Sequence, residues 1–390
     1  MRRILFALVL AACATAPPQR DLTHIPVQIS GTRVLVPVSV NGQAPALFIL
    51  DTGAATTTVE KDYADANGIV ASSTTRAMGA GGAVDVGVAT DLELTVGGIR
   101  LDPPRSPLIP LGAINLRAGI AAQGVLGYEA FASYVVEIDY ENRGVAFHDP
   151  ATFAAPEGAV RVPVEMAHRT PVATVHLSLP DGRTIPARLL VDTGASTTLT
   201  LTRGFSEKND VEVAGGIETS LGLGVGGATQ EITGRIARLD FGGFAFDRPV
   251  AALSRSTGGL LGGSQVDGII GGEILRRFTL FVDYGRRQLL LIPNRALGDP
   301  IDIDMTGAVL AARDSAFDAI VVHNVLADSP AAHAGIRAGD ELRAIDGRPV
   351  TAAQLDDVRK LFKSEGRRFT LMLVRDGAEM TVPITTRRLV

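Results

Sequence analysis

Two aspartates of this 390-residue sequence stand in nearly identical surroundings. Asp51 lies in LFILDTGAATTT, residues 47–58, and Asp192 lies in RLLVDTGASTTL, residues 188–199. Two carboxylates held side by side cannot both ionise cheaply, so they share a proton and titrate as a coupled pair. One of them can then take a proton from water while the other polarises a carbonyl group. The pair is therefore the candidate centre for direct hydrolysis by water, without a covalent intermediate.

The two aspartate motifs belong to a duplication that extends along most of the chain. A turn signal, Asn41-Gly42 or Asp181-Gly182, precedes each aspartate. Downstream, GVLGYEAFASYVVEIDY (residues 124–140) is repeated as GIIGGEILRRFTLFVDY (residues 268–284). Because the spacing between the copies stays nearly constant, only small insertions separate them. The sequence thus predicts two equivalent lobes that contribute one aspartate each.

Each copy has the pattern of a β-rich lobe. Apolar and polar residues alternate in VLVPVSV (residues 34–40) and VATVHLSL (residues 172–179), which indicates half-buried strands. The 43 glycines exceed the usual share and favour turns. Only YEAFASY and GEILRRF have the pattern of short helices. We expect a mainly β protein with a first lobe over residues 21–150 and a second over residues 151–296, opening with a linker at 151–159.

The duplicated motif resembles that of the retropepsin and pepsin-type aspartic peptidases. The resemblance rests on apolar-Asp-Thr-Gly-Ala in each lobe and on the later elements Val125-Leu126-Gly127 and Ile269-Ile270-Gly271. It implies a catalytic dyad of Asp51 and Asp192, held from behind by the two later elements. The residues implied to support the catalytic loops are Thr52, Gly53, Gly127, Thr193, Gly194 and Gly271.

The resemblance also assigns roles within the catalytic loops. Thr52 and Thr193 are implied to hydrogen-bond across the lobe interface. Gly53 and Gly194 permit a tight backbone turn, so that each aspartate can lie at a loop tip.

The family has a glycine-rich hairpin, the flap, after the catalytic loop. Here AMGAGGAVDVG (residues 77–87, the first flap) and LGLGVGGATQEI (residues 221–232, the second flap) lie at similar distances from their aspartates. A flap in each lobe is similar to the retroviral pattern, as are Ala54 and Ala195 after the two Asp-Thr-Gly motifs. Since alanine cannot donate a hydroxyl to an ionised aspartate, we expect activity to extend towards neutral pH. The flap glycines are Gly79, Gly81, Gly82, Gly224, Gly226 and Gly227.

Motifs for other kinds of site are incomplete or absent in this sequence. Gly222, Gly224 and Gly227 satisfy G-x-G-x-x-G, but the following ATQEITGRIARLDF lacks the helical periodicity that a dinucleotide site requires. The six histidines are scattered and show no metal-ligand spacing, and no G-x-S-x-G element is present. The repeated Asp139 and Asp283 lie at strand ends, which favours a turn role. We expect no metal and no organic cofactor, and the net charge of −5 without a basic run argues against nucleic acid as a partner.

The C-terminal part, residues 297–390, resembles a bacterial PDZ domain. The resemblance is carried by Ser329-Pro330-Ala331-Ala332, by Ala334-Gly335-Ile336 and by Ile345-Asp346-Gly347. PDZ domains add an extended C-terminus to a sheet edge and hold its carboxylate in a loop of N–H groups. The candidate carboxylate loop is Gly307, Ala308 and Val309, although it departs from the usual Gly-Leu-Gly-Phe wording. The alternative is a PDZ domain that only packs against the lobes as a spacer.

The N-terminal residues 1–20 have the pattern of a leader and tether. Two arginines precede an apolar run at 4–12, which is shorter than the about 20 residues that span a bilayer and is typical of a signal peptide. Leu10-Ala11-Ala12-Cys13 resembles a bacterial lipobox and implies a lipid anchor on Cys13, the only cysteine. Ordinary signal cleavage is the alternative. We expect an exported protein anchored in a bacterial cell envelope, with Ala14 favouring the outer membrane and periplasm.

These patterns together predict an aspartic endopeptidase that hydrolyses extended polypeptides, with PDZ-assisted recruitment of the substrate. The alternative from another class is a non-catalytic envelope adaptor that only binds peptides. A third possibility is a zymogen-like enzyme in which residues 21–33 form a removable cover.

Overall fold

The computed structural model describes residues 22–219 and 222–390. Their fold is mainly β, as the alternating segments and glycine-rich turns predicted. The turn at Asn41 and Gly42 has positive φ at both residues, 49° and 72°, which joins two antiparallel strands tightly. The predicted leader and Cys13 lie outside the described residues.

The first lobe is built from short strands with a few short helices. Its strands are β1 (Leu22–Pro26), β2 (Gln28–Ser30), β3 (Arg33–Val40), β4 (Ala46–Leu50), β5 (Thr58–Glu60), β6 (Ser73–Met78), β7 (Ala83–Ala89), β8 (Leu94–Val96), β9 (Ile99–Leu101), β10 (Ser106–Ile109), β11 (Gly124–Leu126), β12 (Val135–Asp139) and β13 (Gly144–His148). Its helices are α1 (Lys61–Ala66), α2 (Gly112–Ala118) and α3 (Tyr128–Ala132).

The second lobe repeats this plan. Its strands are β14 (Val160–Pro163), β15 (Glu165–Ala167), β16 (Thr170–Ser178), β17 (Thr184–Asp192), β18 (Leu199–Leu201), β19 (Ala214–Thr219), β20 (Leu223–Gly224), β21 (Gly227–Ala228), β22 (Glu231–Arg235), β23 (Arg238–Phe241), β24 (Phe244–Asp247), β25 (Val250–Ser254), β26 (Gly268–Gly271), β27 (Phe278–Asp283) and β28 (Gln288–Pro293). Its helices are α4 (Arg203–Lys208), α5 (Gly259–Gly262) and α6 (Gly272–Leu275).

The sheet orders of the two lobes correspond strand by strand. The first lobe has β6-β7-β10-β5-β11-β4-β3-β8-β9, and the second has β19-β22-β25-β18-β26-β17-β16-β23-β24. The sequence duplication is therefore a duplication of structure, and β4 with Asp51 corresponds to β17 with Asp192.

A third sheet joins the lobes. Its order is β1-β13-β12-β27-β28-β14, and β12 pairs with β27 antiparallel, with Val136 opposite Val282. The apolar residues of both lobes form one continuous buried cluster that includes Phe48, Phe131 and Phe278. Because strands and core cross the boundary, the two lobes are held in a fixed relation to each other.

Helices are more numerous than the sequence pattern indicated. The two helices predicted within the lobes are α3 and α6, but α1, α2, α4 and α5 were missed. These four contain four to seven residues each, too few for a helical period to be recognised. The predicted linker at 151–159 has neither strand nor helix, and its Phe153 packs against Phe281 with ring centroids 5.7 Å apart.

The C-terminal part forms a separate sheet with its own apolar core, which includes Phe362 and Phe369. Its elements are β29 (Ala308–Ala312), β30 (Ile320–Val325), β31 (Glu341–Ile345), β32 (Arg348–Pro349), β33 (Arg368–Arg375), β34 (Ala378–Thr385), α7 (Pro330–His333) and α8 (Leu355–Leu361). A 3-10 turn, Arg295–Gly298, leads towards it from β28. Within the described ranges, no helix is long and apolar enough to cross a membrane.

Candidate active site

The two predicted catalytic aspartates lie at equivalent strand ends. Asp51 directly follows β4, and Asp192 is the last residue of β17. Behind them run the predicted supporting elements, because β11 pairs in parallel with β4 and β26 pairs in parallel with β17. The amide of Asp51 donates to the carbonyl of Leu126 at 3.0 Å, so the supporting strand fixes the start of the catalytic loop.

Gly127 and Gly271 end these supporting strands against the catalytic loops. A β-carbon on Gly127 would lie 2.7 Å from the carbonyl oxygen of Ala54, and one on Gly271 would lie 2.3 Å from that of Thr197. Both distances are well below a van der Waals contact. Glycine is therefore required at both positions by close approach of backbone to backbone.

Thr52 and Thr193 lock the two loops together across the lobe interface. The hydroxyl of Thr52 donates to the carbonyl of Val191 at 2.6 Å, and that of Thr193 donates to the carbonyl of Leu50 at 2.9 Å. Each hydroxyl also accepts the amide of the other threonine, at 3.0 and 3.1 Å. Because both side chains are fully buried, this reciprocal set of bonds holds the loops rigidly.

The glycines of the motif lie against the opposite aspartate. A β-carbon on Gly53 would lie 2.7 Å from Cγ of Asp192, and one on Gly194 would lie 2.5 Å from Cγ of Asp51. Neither glycine has a positive φ, so the expected reason, a tight turn, is not what requires them. They are required because any side chain would displace the carboxyl group from the other lobe.

The two carboxyl groups form one coupled acid–base unit. Burial, followed by the charge and hydrogen bond of Asp192, raises the pKa of Asp51 well above its ordinary value. Burial also raises the pKa of Asp192, although hydrogen bonds from Asp51 and from the amides of Ala195 and Gly194 oppose it. The pair can therefore hold a shared proton at a pH where a free carboxyl group is ionised.

The two predicted flaps meet over this site. The first flap is the tip of the β6–β7 hairpin, and the described part of the second flap contains the β20–β21 hairpin. The amide of Gly81 donates to the carbonyl of Val225 at 3.0 Å. A β-carbon on Gly79 would lie 2.3 Å from that same carbonyl oxygen, and one on Gly226 would lie 2.5 Å from the amide of Gly82. The glycines thus let the two tips touch, with Gly224 and Gly227 forming the last pair of the second hairpin.

A cavity of about 1640 Å³ lies beneath the flaps. Both aspartates line it, and it continues along the body of the protein to Gly307, just before β29, and to Val309 within β29. It is large enough for several residues of a polypeptide chain.

Arg33 is a residue of the candidate site that no sequence motif indicated. Its Nε donates to the carbonyl of Gly194 at 2.9 Å, which places a cation beside the dyad. Burial lowers the pKa of Arg33, and the charges of Asp192, Asp356 and Asp51 act in the opposite direction. No repeat could have revealed it, because strand register places Thr170 at the equivalent position of the second lobe.

Two buried tyrosines were also missed. The hydroxyl of Tyr284 donates to the carbonyl of Thr52 at 3.2 Å. Burial, followed by the charges of the dyad, raises the pKa of Tyr284, and burial and the charge of Asp192 raise that of Tyr140. The signal for both was present, since they recur in the two copies of the duplication.

Asp139 and Asp283, which precede these tyrosines, have turn roles as predicted. Asp139 accepts the amides of Glu141 and Asn142, and Asp283 accepts the amide of Arg286. In the described parts of the chain, no group of His, Cys, Asp and Glu residues could hold a metal ion.

One prediction needs correction. The suggested removable cover, residues 21–33, contains β1, which pairs with β13, and β2, which pairs with β3. Its loss would therefore take two strands and the first residue of β3, Arg33, out of the fold.

The predicted PDZ carboxylate loop has acceptors for two of its amides within the chain itself. Ala308 and Val309 already belong to β29. The amide of Gly307 donates to Oδ1 of Asp304 at 3.1 Å, and the amide of Ala308 donates to the hydroxyl of Thr306 at 3.1 Å. With these donors satisfied and a carboxyl group beside them, the loop is poorly suited to a terminal carboxylate.

Comparison with known proteins agrees with the two-lobed architecture. Residues 36–130 and 175–274 match the aspartyl protease family, and residues 321–375 match the PDZ domain family. A curated protein of Mesorhizobium japonicum, named as a candidate zinc metalloprotease, is 42% identical over 66 residues, which are 17% of this chain and 17% of that protein. The chain thus spans less than a fifth of that relative.

Solved structures were matched as well. The aspartic proteinase from Irpex lacteus is aligned over 72% of this chain and 99% of its own, with 13% identity and a TM-score of 0.44. The photosystem II D1 C-terminal processing protease is aligned over 24% of this chain and 25% of its own, with 24% identity and a TM-score of 0.21. Since the aspartyl protease matches cover half of the chain and fall in both lobes, this chain belongs to the aspartyl protease family and carries a PDZ domain towards its C-terminal end.

Proposed function

We propose that this protein is an aspartic endopeptidase that cleaves extended polypeptides. The observation that carries the proposal is the mutual approach of the motifs, in which Gly53 lies against the carboxyl group of Asp192 and Gly194 lies against that of Asp51. Such an arrangement presents two carboxyl groups with one shared proton to the same cavity.

In the proposed reaction the ionised carboxylate takes a proton from water, and the oxygen of that water attacks the peptide carbonyl carbon. The protonated carboxyl group donates to the carbonyl oxygen as its negative charge develops. Collapse of the tetrahedral intermediate then breaks the C–N bond, and the leaving amine takes up a proton from the dyad. The threonine bonds between the loops keep both carboxyl groups in register during these steps.

The substrate we propose is an extended, unfolded segment beneath the two flaps. The flap hairpins supply backbone groups over the cavity. The volume of the cavity exceeds what a single side chain needs. We further propose that the PDZ domain binds substrate polypeptides and so recruits them to this cavity. Export and anchoring through Cys13 remain part of the proposal and rest on the sequence of residues 1–20 alone.

The test is cleavage of a diverse peptide library by the purified protein between about pH 3 and pH 8, which spans the carboxyl and histidine range. Asp51→Asn and Asp192→Asn should each reduce cleavage by at least about 100-fold. Asp139→Asn is the matched control, because it changes a repeated carboxylate that only caps a turn. A folded protein that binds these peptides at every pH without cleaving them would instead favour the adaptor.

A further inference from the structure

The PDZ domain has a groove between a strand edge and a helix. In the described part of the chain β29 lies at one edge of its sheet, and α8 packs beside it. Arg359 of α8 donates from Nη2 to the carbonyl of Leu310 in β29 at 2.8 Å, and so connects the two walls. An added peptide segment would normally bind along such an edge.

This groove is already in contact with helix α2 of the first lobe. Leu116 of α2 packs against the apolar core of the PDZ domain. Gly119, directly after α2, lies against Leu355 at the start of α8, since a β-carbon there would be 3.1 Å from that of Leu355. The same Nη2 of Arg359 that binds β29 also donates to the carbonyl of Arg117. Helix α2 therefore touches both walls of the groove, as a ligand would.

The opposite side of α2 belongs to the catalytic cavity. Ile114 packs in an apolar cluster that includes Val225 at the tip of the second flap. Val225 in turn accepts the bond from Gly81 that joins the two flaps. One seven-residue helix thus connects the PDZ groove to the flap that closes over the dyad.

The contact between α2 and the PDZ domain leaves one charged group of α2 unfavourably placed. Nη1 of Arg117 is buried and has no hydrogen-bond partner among the described residues. Arg117 also lies near Arg359, and burial together with that second cation lowers the pKa of Arg117 to about 10. A buried cation beside another cation is unfavourable, so release of α2 would remove this cost.

We propose that the β29–α8 groove is a regulatory binding site in which α2 is the internal ligand, and that an apolar internal segment of an unfolded polypeptide displaces α2 and frees the second flap. The ligand is an internal segment, because Asp304 and Thr306 already occupy the loop amides that would hold a terminal carboxylate. This inference rests on the proposed function, since it makes substrate-like polypeptides the activators of their own cleavage.

The first probe is the α2 sequence itself, a fluorescent peptide of residues 111–120 with both ends blocked, tested on the Asp51→Asn protein so that binding does not depend on catalysis. The Leu116→Ala exchange in the protein weakens the internal competitor, because it removes the apolar contact of α2 with the PDZ core, and should tighten peptide binding roughly tenfold. The matched control in the protein is Ile185→Ala, a partly buried residue of β17. A peptide with alanine in place of its leucine at position 116 should bind poorly.

The second measurement uses a protein without any substitution in α2, so it can be made even if the Leu116→Ala variant does not fold. Adding the peptide to the Asp51→Asn protein should increase hydrogen exchange in residues 112–118 and 223–228, and in the active protein it should raise kcat/KM. The proposal is overturned if the peptide does not bind, if it binds without changing exchange at 223–228, or if a free-carboxylate peptide binds about tenfold tighter than the blocked one. Binding and exchange as expected, with no cleavage by any form, would contradict only the proposed function.

Discussion

Arg33 shows how a single side chain can set the acid–base range of the dyad. Its guanidinium group is fixed to the carbonyl of Gly194, and its charge lowers the pKa of both Asp51 and Asp192. Burial acts in the opposite direction on the same two groups. The pH range of activity therefore depends on the balance between a desolvated pair and one neighbouring cation.

Replacing this cation moves the activity profile in a defined direction. In Arg33→Gln the ionised dyad loses a favourable charge, so both apparent pKa values rise and the bell-shaped profile moves to higher pH by up to about one unit. The measurement is kcat/KM against pH. Arg100→Gln, an exposed arginine paired with Asp102, is the control. A profile that stays in place or moves to lower pH would contradict this role of Arg33.

Asp304 should make stability depend on pH. Burial raises the pKa of Asp304 to about 6, whereas an unfolded aspartate titrates near 3.9. Because the folded state keeps a proton that the unfolded state releases, stability falls as pH rises from about 4 to about 6.

Asp304→Asn keeps the acceptor oxygen for Thr306 and Gly307 but cannot ionise. Relative to the unsubstituted protein it should gain about 1–2 kcal/mol of unfolding free energy between pH 4 and pH 7.5, less than the full pKa difference implies because the side chain is partly accessible. Denaturant unfolding at both pH values measures this, with the exposed Asp357→Asn as control. Equal gains for both variants would rule out titration of Asp304.

At the scale of elements, the flaps depend on backbone contact that only glycine permits. In Gly79→Ala the new β-carbon would lie 2.3 Å from the carbonyl oxygen of Val225, so the flap tips must separate. We expect kcat/KM to fall about 10- to 100-fold, because permanently separated tips cannot close over a bound substrate, whereas displacement of α2 leaves the tips able to meet again. Global stability should change little, since the tips contribute little to the core.

The matched glycine is Gly204 in α4, whose β-carbon would meet nothing closer than 4.0 Å. Gly204→Ala should retain activity and gain about 0.5–1 kcal/mol from helix propensity. Peptide cleavage measures the activity of both variants, and thermal unfolding measures their stability. Normal activity of Gly79→Ala would show that flap contact is not needed for cleavage.

At the scale of the whole molecule, one buried cation fixes the connection between the lobes and the PDZ domain. Arg277 is fully buried, donates to the carbonyls of Ala296 and Asp299, and pairs with Glu273 at 3.2 Å. Its bonds thus order the segment that leads into the C-terminal sheet.

Arg277→Met should destabilise the protein by about 3–5 kcal/mol, because the buried carbonyls of Glu273, Ala296 and Asp299 lose their donor. The carboxylate of Glu273 keeps its ion pair with Arg276 at 2.7 Å. Arg295→Met changes an exposed arginine of the same connection and should cost less than about 0.5 kcal/mol. Denaturant unfolding compares the two. A loss below about 1 kcal/mol for Arg277→Met would mean that the connecting segment is held by other contacts.

Residue order alone was enough to predict the two-lobed β architecture, the aspartate pair with its threonine support, and the PDZ domain. These features could be predicted because each depends on local residue order, and because the duplication presents the same pattern twice. Tyr140 and Tyr284 could have been chosen as candidates on the same basis, because they recur in both copies of the duplication. The sequence did not indicate their role beside the dyad.

Features that depend on contacts between distant segments could be recognised only in the folded chain. The need for Gly53 and Gly194 comes from the opposite lobe, and Arg33 reaches Gly194 from 161 positions away. No sequence pattern indicates that the amide of Gly307 is already hydrogen-bonded, or that α2 packs against the PDZ domain. A sequence motif indicates the local structure of a segment, whereas packing between lobes and domains determines which distant groups meet. In this protein that packing connects the PDZ groove to the cavity of the two aspartates through one short helix, α2.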